Sequence, residues 1–159
     1  MKKLILIISM VIVVIAQVFV LSHFFIEKYS VILGGEKLKF LVSDFDLTSA
    51  REDGYVKINL VKDITGEGRY GVLREKDGFV ELDSVVVEKP NFGMYIKSSE
   101  NKYFKFPFDK YYIKSLDNTY KDLVVTDDTK AYIVVMIKDG EAQIVDFMID
   151  GVKVEEYIK

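Results

Sequence analysis

The sequence predicts an all-β exported domain, an antiparallel sandwich or barrel-like fold, preceded by a single N-terminal transmembrane helix. Three observations carry that reading. Leu4 to Phe25 contains no formal charge and is built mainly of Leu, Ile, Val and Phe. After residue 30, short segments alternate apolar and polar residues with a period of two, the mark of half-buried strands. Asp-Gly pairs at Asp77-Gly78, Asp139-Gly140 and Asp150-Gly151 punctuate them, and Asp-Gly suits the left-handed residues of a tight hairpin turn.

The N-terminal run is long enough for a membrane. A hydrocarbon core about 30 Å thick needs roughly 20 helical residues. Ser9, Gln17, Ser22 and His23 are its polar interruptions, and single hydroxyls or amides are tolerated where they bond a neighbouring helix or their own backbone. His23 is the only histidine in the chain and lies toward the far end of the run, at headgroup level. The run exceeds the apolar region of a cleaved signal, typically about 7–15 residues, and its one alanine, Ala16, lies inside it. It is therefore expected as an uncleaved signal-anchor. Lys2 and Lys3 favour a cytoplasmic N-terminus, which puts the chain in the cell membrane as a single-pass protein with its body on the outer side. The expected division is a cytoplasmic tail at 1–3, the helix at 4–26, a linker at 27–35 and an extracytoplasmic β domain at 36–159.

The body is the size of one domain. Taking Lys2, Lys3, Lys28 and Glu27 from the totals of 22 Lys and Arg and 25 Asp and Glu leaves it acidic, 19 against 24. Nucleic-acid binding needs a basic face, so no nucleic-acid partner is expected. With no cysteine there is no disulfide, thiolate metal site or lipid-bearing cysteine. A composition rich in Lys, Ile and Tyr with two prolines is of a bacterial, low-GC type.

Gly34-Gly35 suits a hinge between anchor and body. Glu36 to Asp44 is a short apolar segment. In Tyr55 to Lys62, Val56, Ile58 and Leu60 share one face. Arg69 to Glu75 and Phe79 to Val87 flank the first Asp-Gly turn. Phe92 to Lys97 resumes the pattern after Pro90. Lys102 to Phe108 sets Phe104, Phe106 and Phe108 on one face, and Pro107 marks an edge strand or a strand end. Residues 114–122 read as a loop or short helix. Tyr132 to Ile137 and Ala142 to Met148 form the second hairpin, and Val152 to Ile158 follows the third turn as a strand.

Arg51 to Leu60, with Asp53-Gly54-Tyr55 at its centre, resembles the signature of the GDYXXLXY family of small membrane-anchored bacterial proteins. Asp44 and Asp46 stand where that family places an earlier acidic pair. Tyr95-Ile96-Lys97, Tyr103-Phe104 and the stretch from Lys138-Asp139-Gly140 to Ile149-Asp150-Gly151-Val152 are similar to its later strands. Asp53-Gly54 inverts the family's Gly-Asp, Leu60 replaces its final Tyr, and Phe106-Pro107-Phe108 lacks the Glu-Gly that follows the proline. The resemblance implies an anchored, exported β domain, often beside polytopic membrane proteins, with no known chemistry.

No catalytic set emerges from the residues. Asp44-Phe45-Asp46-Leu47-Thr48 after an apolar strand resembles the nucleophile motif of haloacid-dehalogenase-type phosphatases, in which one Asp attacks phosphorus and magnesium neutralises charge. Those enzymes need parallel strands joined by helical crossovers, and hairpins stand here instead. Ser43 with downstream lysines lacks the Ser-Met of the signal peptidases. The single histidine, inside the membrane run, excludes a Ser-His-Asp triad in the body. No metal or cofactor is expected. Tyr103, Lys105, Tyr111 and Tyr112 stand out as a candidate interaction surface, and of the adjacent Tyr111 and Tyr112 one must face outward. The expected function is that of a non-enzymatic interaction or accessory protein, its partners the bilayer and a polytopic membrane protein or envelope component. The alternatives are a cell-wall polymer or glycan-binding module and, further off, a small magnesium-dependent phosphatase or other hydrolase.

Overall fold

The computed structural model describes residues 2–46, 54–61, 66–113 and 129–157. Helix α1 (Lys2–Gly34) leads into nine strands, β1 (Glu36–Asp46), β2 (Tyr55–Leu60), β3 (Tyr70–Lys76), β4 (Phe79–Val86), β5 (Tyr95–Lys97), β6 (Lys110–Tyr112), β7 (Ala131–Lys138), β8 (Glu141–Ile149) and β9 (Val152–Lys153), and a closing turn of helix, α2 (Val154–Tyr157). A six-stranded sheet runs β6-β2-β1-β7-β8-β9 and a three-stranded sheet runs β4-β3-β5. Among the described residues every pairing is antiparallel. The all-β class on one apolar helix of membrane-spanning length is the architecture observed.

The larger sheet curls into a half-barrel. Its order separates β6 from β8, yet the Tyr111 ring stands 6.0 Å from that of Phe147, and the Tyr111 hydroxyl donates to Glu155 of α2 at 2.6 Å. Register breaks between Val42 and Asp44 and between Val134 and Val135 supply the extra twist that curling requires. Ser43, at the first of these, donates its hydroxyl to the Asn59 carbonyl at 3.0 Å.

The three Asp-Gly pairs between strands, at Asp77, Asp139 and Asp150, turn as the sequence demands. Asp77, Asp139 and Asp150 have φ of 53°, 53° and 49°, and the glycines that follow have 78°, 85° and 83°. Both central residues are left-handed, the geometry that keeps hairpin strands in twist. At Gly140 a second constraint applies, because an added Cβ would lie 2.6 Å from the Tyr95 ring.

The two sheets meet over an apolar core. Val56 and Ile58 are buried while Lys57 and Asn59 face water, so β2 keeps its period of two. The Lys102 to Phe108 segment is a different matter. Phe104 and Phe106 are buried and Tyr103, Lys105 and Pro107 exposed, as alternation predicts, but the segment joins neither sheet as a strand. Its only β contact among the described residues is the isolated bridge Glu67↔Tyr103. Ser98 and Ser99 hold it instead: the Ser98 hydroxyl takes the Lys105 amide at 2.9 Å and the Ser99 amide donates to the Lys105 carbonyl at 3.0 Å. So fixed, Phe104 packs on Gly71 and Leu82 of the smaller sheet while Phe106 and Phe108 stand 6.0 and 5.9 Å from Phe40 of the larger.

The expected strand over 152–158 is corrected. It stops at Lys153 and the chain turns helical at Val154, whose side chain is buried. Glu155 and Glu156 occupy the first turn of α2, where carboxylates complement the helix dipole. Residues 114–122 and Asp53 lie outside the described residues.

At the other end, α1 continues through the residues read as a linker and ends at Gly34. Val31 is buried, the Gly35 amide caps the helix through the Val31 carbonyl at 2.9 Å, and Lys138 donates to Ser30 Oγ at 2.6 Å. Gly34-Gly35 is a tight joint here, closely packed where the sequence suggests a hinge. A Cβ on Gly35 would lie 2.4 Å from the Val31 carbonyl oxygen and 3.0 Å from that of Ile137. The glycine is there so that two backbones can approach.

Candidate functional site

A broad concavity lies at the joint between α1 and the sheet. Curling of the half-barrel leaves a gap between β6 and β8, and the last turns of α1 lie along it. The result is a cleft of about 980 Å³. Ile26, Lys28, Ser30 and Val31 of α1 form one wall, β8 from Glu141 to Ile144 another, and Pro107 to Tyr112 the third.

Each functional side chain is held by local structure. The Lys110 ammonium stands 4.2 Å from the Tyr55 ring centre, and Tyr55 and Tyr112 pair across the β2–β6 ladder with rings 5.9 Å apart. Hydrogen bonding with Tyr55, followed by its charge interaction, raises the Lys110 pKa above the ordinary lysine value, so this group is a cation at any physiological pH. Lys97 pairs with Glu141 at 3.1 Å, and Lys138 is committed to Ser30. Asp109 and Asp139 complete the charged lining.

The four residues singled out as an interaction surface do not form one patch. Tyr112 is 66% exposed and sits on the cleft. Its neighbour Tyr111 is 3% exposed, a core residue. Tyr103 and Lys105 face solvent on the Lys102–Phe108 segment, where Lys105 pairs with Glu100 at 3.4 Å, and neither lines the cleft. Among the described residues, the aromatic and basic run is thus divided between core, cleft and a separate face. Of the family-like positions, Gly54 is left-handed with φ 74° and Tyr55 opens β2.

Among the described residues, the strands beside the acidic pair are antiparallel. β1, which carries Asp44 and Asp46, is antiparallel to both β2 and β7, so the parallel crossovers that build a nucleophile loop are not beside it. Among the described residues no three His, Asp or Glu groups stand close enough to hold a metal ion.

Sequence reasoning missed the cleft because it stopped the helix near residue 26. Ser30 and Gly34 are four residues apart and share a helix face. Both meet Lys138, which lies 108 residues beyond Ser30.

Tyr111 gives a pH test of this packing. Burial first, and then the hydrogen bond to Glu155, push its pKa well above the ordinary tyrosine value. A raised folded value means stability is complete below about pH 10, the ordinary tyrosine pKa, and is lost above it as the unfolded state ionises first. Alkaline absorbance titration is expected to show Tyr111 ionising only with unfolding, and Tyr111→Phe to remove that late component. Ionisation of all tyrosines before the structure melts would contradict it.

The fold and the cleft together define a two-sheet antiparallel β domain built onto an apolar helix of membrane-spanning length. No family model, curated protein or solved structure matches the chain.

Proposed function

We propose that this chain is a single-pass, membrane-anchored extracytoplasmic β domain of non-enzymatic type, acting as an interaction or accessory protein for a membrane or envelope partner. The observation that carries this reading is the joint. An apolar helix of spanning length runs without a break into the sheet, and Val31, Gly35 and the Ser30–Lys138 bond lock it there. A mere tether has no need of such a lock. A body fixed in orientation to its helix presents the same face to whatever lies beside it in the bilayer. Lys2 and Lys3 favour the cytoplasm for the N-terminus, and the resemblance to the GDYXXLXY family points to the same arrangement.

The test is photo-crosslinking in intact membranes from probes at Tyr29 and Tyr112, read by mass spectrometry. A discrete heterologous protein adduct at these positions, absent from a probe at the surface residue Phe92, is the expected result. Recovery of monomer alone at every position overturns the partner reading. Topology is checked in the same cells, because the natural chain has no cysteine. A Glu100→Cys variant is expected to react with an impermeant maleimide from outside, and labelling only after lysis would reverse the orientation.

A further inference from the structure

We propose that the cleft between α1 and the β6–β8 gap binds the headgroup of an anionic phospholipid from the bilayer in which α1 sits, with Lys28 and Lys110 on the phosphate and Tyr112 at the interface. The inference rests on α1 spanning a membrane and goes beyond the partner reading. Its first support is position. The stretch without formal charge that begins at Leu4 ends at Ile26, and Glu27 and Lys28 are the first charges after it. Ile26 therefore marks the edge of the hydrocarbon, and the same Ile26 begins the cleft wall. From Ile26 to Ser30 the helix rises about 6 Å, close to the thickness of one headgroup layer, roughly 5–7 Å. The cleft thus opens at headgroup depth.

Chemistry agrees with position. Tyrosine and lysine are the side chains that settle at a membrane interface, the ring at the boundary and the ammonium among phosphates. Tyr112, two-thirds exposed, and Lys110 on its aromatic base supply that pair on the wall facing Lys28. Four lysines line the cleft against three carboxylates. That slight surplus suits a singly charged phosphodiester, whereas an acidic wall polymer would meet carboxylates along its length. A volume of about 980 Å³ is at the upper end of small-molecule sites, roughly 300–1,000 Å³, enough for a glycerophosphate headgroup with the start of its chains.

The experiment uses the full chain in nanodiscs of equal phosphatidylglycerol and phosphatidylcholine, with retained lipid read by native mass spectrometry. Phosphatidylglycerol is expected to be retained preferentially, and Lys110→Gln or Lys28→Gln to cut the preference about fivefold each, the value of one lysine near an anionic surface. Lys76→Gln, on the β3–β4 turn, should leave it unchanged. Since the chain has no tryptophan, Tyr112→Trp provides a single reporter. Brominated phosphatidylglycerol should quench it more than brominated phosphatidylcholine, while Val152→Trp, in β9 opposite Ile149 at the far end of β8, stays bright. Equal retention of both lipids, an equal loss with Lys76→Gln, or equal quenching at the two sites overturns the proposal. So does displacement of the lipid by soluble glycerophosphate, which would make the ligand a free phosphate, or by a co-purifying peptide. Failure of the chain to float with vesicles would instead overturn the anchor itself, a separate and visible result.

Discussion

Phe147→Ala is expected to lower the thermal midpoint of the body by roughly 10–20 °C, the shift that a loss of about 3–5 kcal/mol produces in a domain of this size. Phe147 is 0% exposed and lies where the half-barrel closes. Its ring meets Phe45 of β1 at 5.4 Å and Tyr111 of β6 at 6.0 Å, and its backbone stands opposite Ile133 of β7. Removing the ring takes apolar surface out of the core and leaves a cavity between strands whose ladders cannot slide to fill it. Such a loss is a large share of the roughly 5–15 kcal/mol that holds a domain folded. Phe147→Leu, which refills most of the space, should recover more than half of the shift. Phe92→Ala is the matched surface control: Phe92 is 88% exposed, and a change there should stay within about 0.5 kcal/mol of neutral. Differential scanning calorimetry on the detergent-solubilised chain measures all three. Equal midpoints for Phe147→Ala and Phe92→Ala would show that the core is centred elsewhere.

That contrast also marks what the residues disclose in advance. Periodicity and Asp-Gly chemistry are local, and the structure follows them: three turns with left-handed pairs, and burial that alternates along β2. Phe147 gave no such signal, because six successive residues of β8, from Ala142 to Phe147, are at least half-buried and alternation is blurred where a curled sheet is covered on both sides. Lys102 to Phe108 shows the opposite failure. Its pattern was right for burial and wrong for pairing, since the alternation records only which side chains face the core, while hydrogen bonds to Ser98 and Ser99 take the place of a ladder. The cleft was illegible for a third reason. Its walls come from residues 26–31, 107–112 and 138–144, and only the closing of the half-barrel and the length of α1 bring them together.

Gly35→Ala should uncouple the body from α1, and it is the sharpest test of the idea that the joint matters. The added Cβ would lie 2.4 Å from the Val31 carbonyl oxygen and 3.0 and 3.2 Å from the Ile137 carbonyl. All of these are backbone atoms, so no side chain can swing aside, and something in the main chain must move. On one side stands the long β1–β7 ladder from Glu36↔Ile137 to Leu41↔Tyr132. On the other stand one capping bond, Val31 and the Ser30–Lys138 contact. The helix end is the weaker side and should yield, at an overpacking cost of about 1–3 kcal/mol. Gly34→Ala is the control, since its Cβ would meet only the end of the Lys138 side chain, at 3.3 Å. Spin labels on cysteines introduced at Tyr29 and Glu156 in the reconstituted chain should give one narrow distance in the parent and in Gly34→Ala, and a broad distribution in Gly35→Ala. Cross-linking to the proposed partner and retention of anionic lipid should fall with it, while the thermal midpoint of the body moves by roughly 3–10 °C, about what 1–3 kcal/mol allows and less than for Phe147→Ala. A narrow distance in Gly35→Ala would mean that the joint absorbs the methyl group, and a drop in midpoint as large as that of Phe147→Ala would place the strain in the sheet.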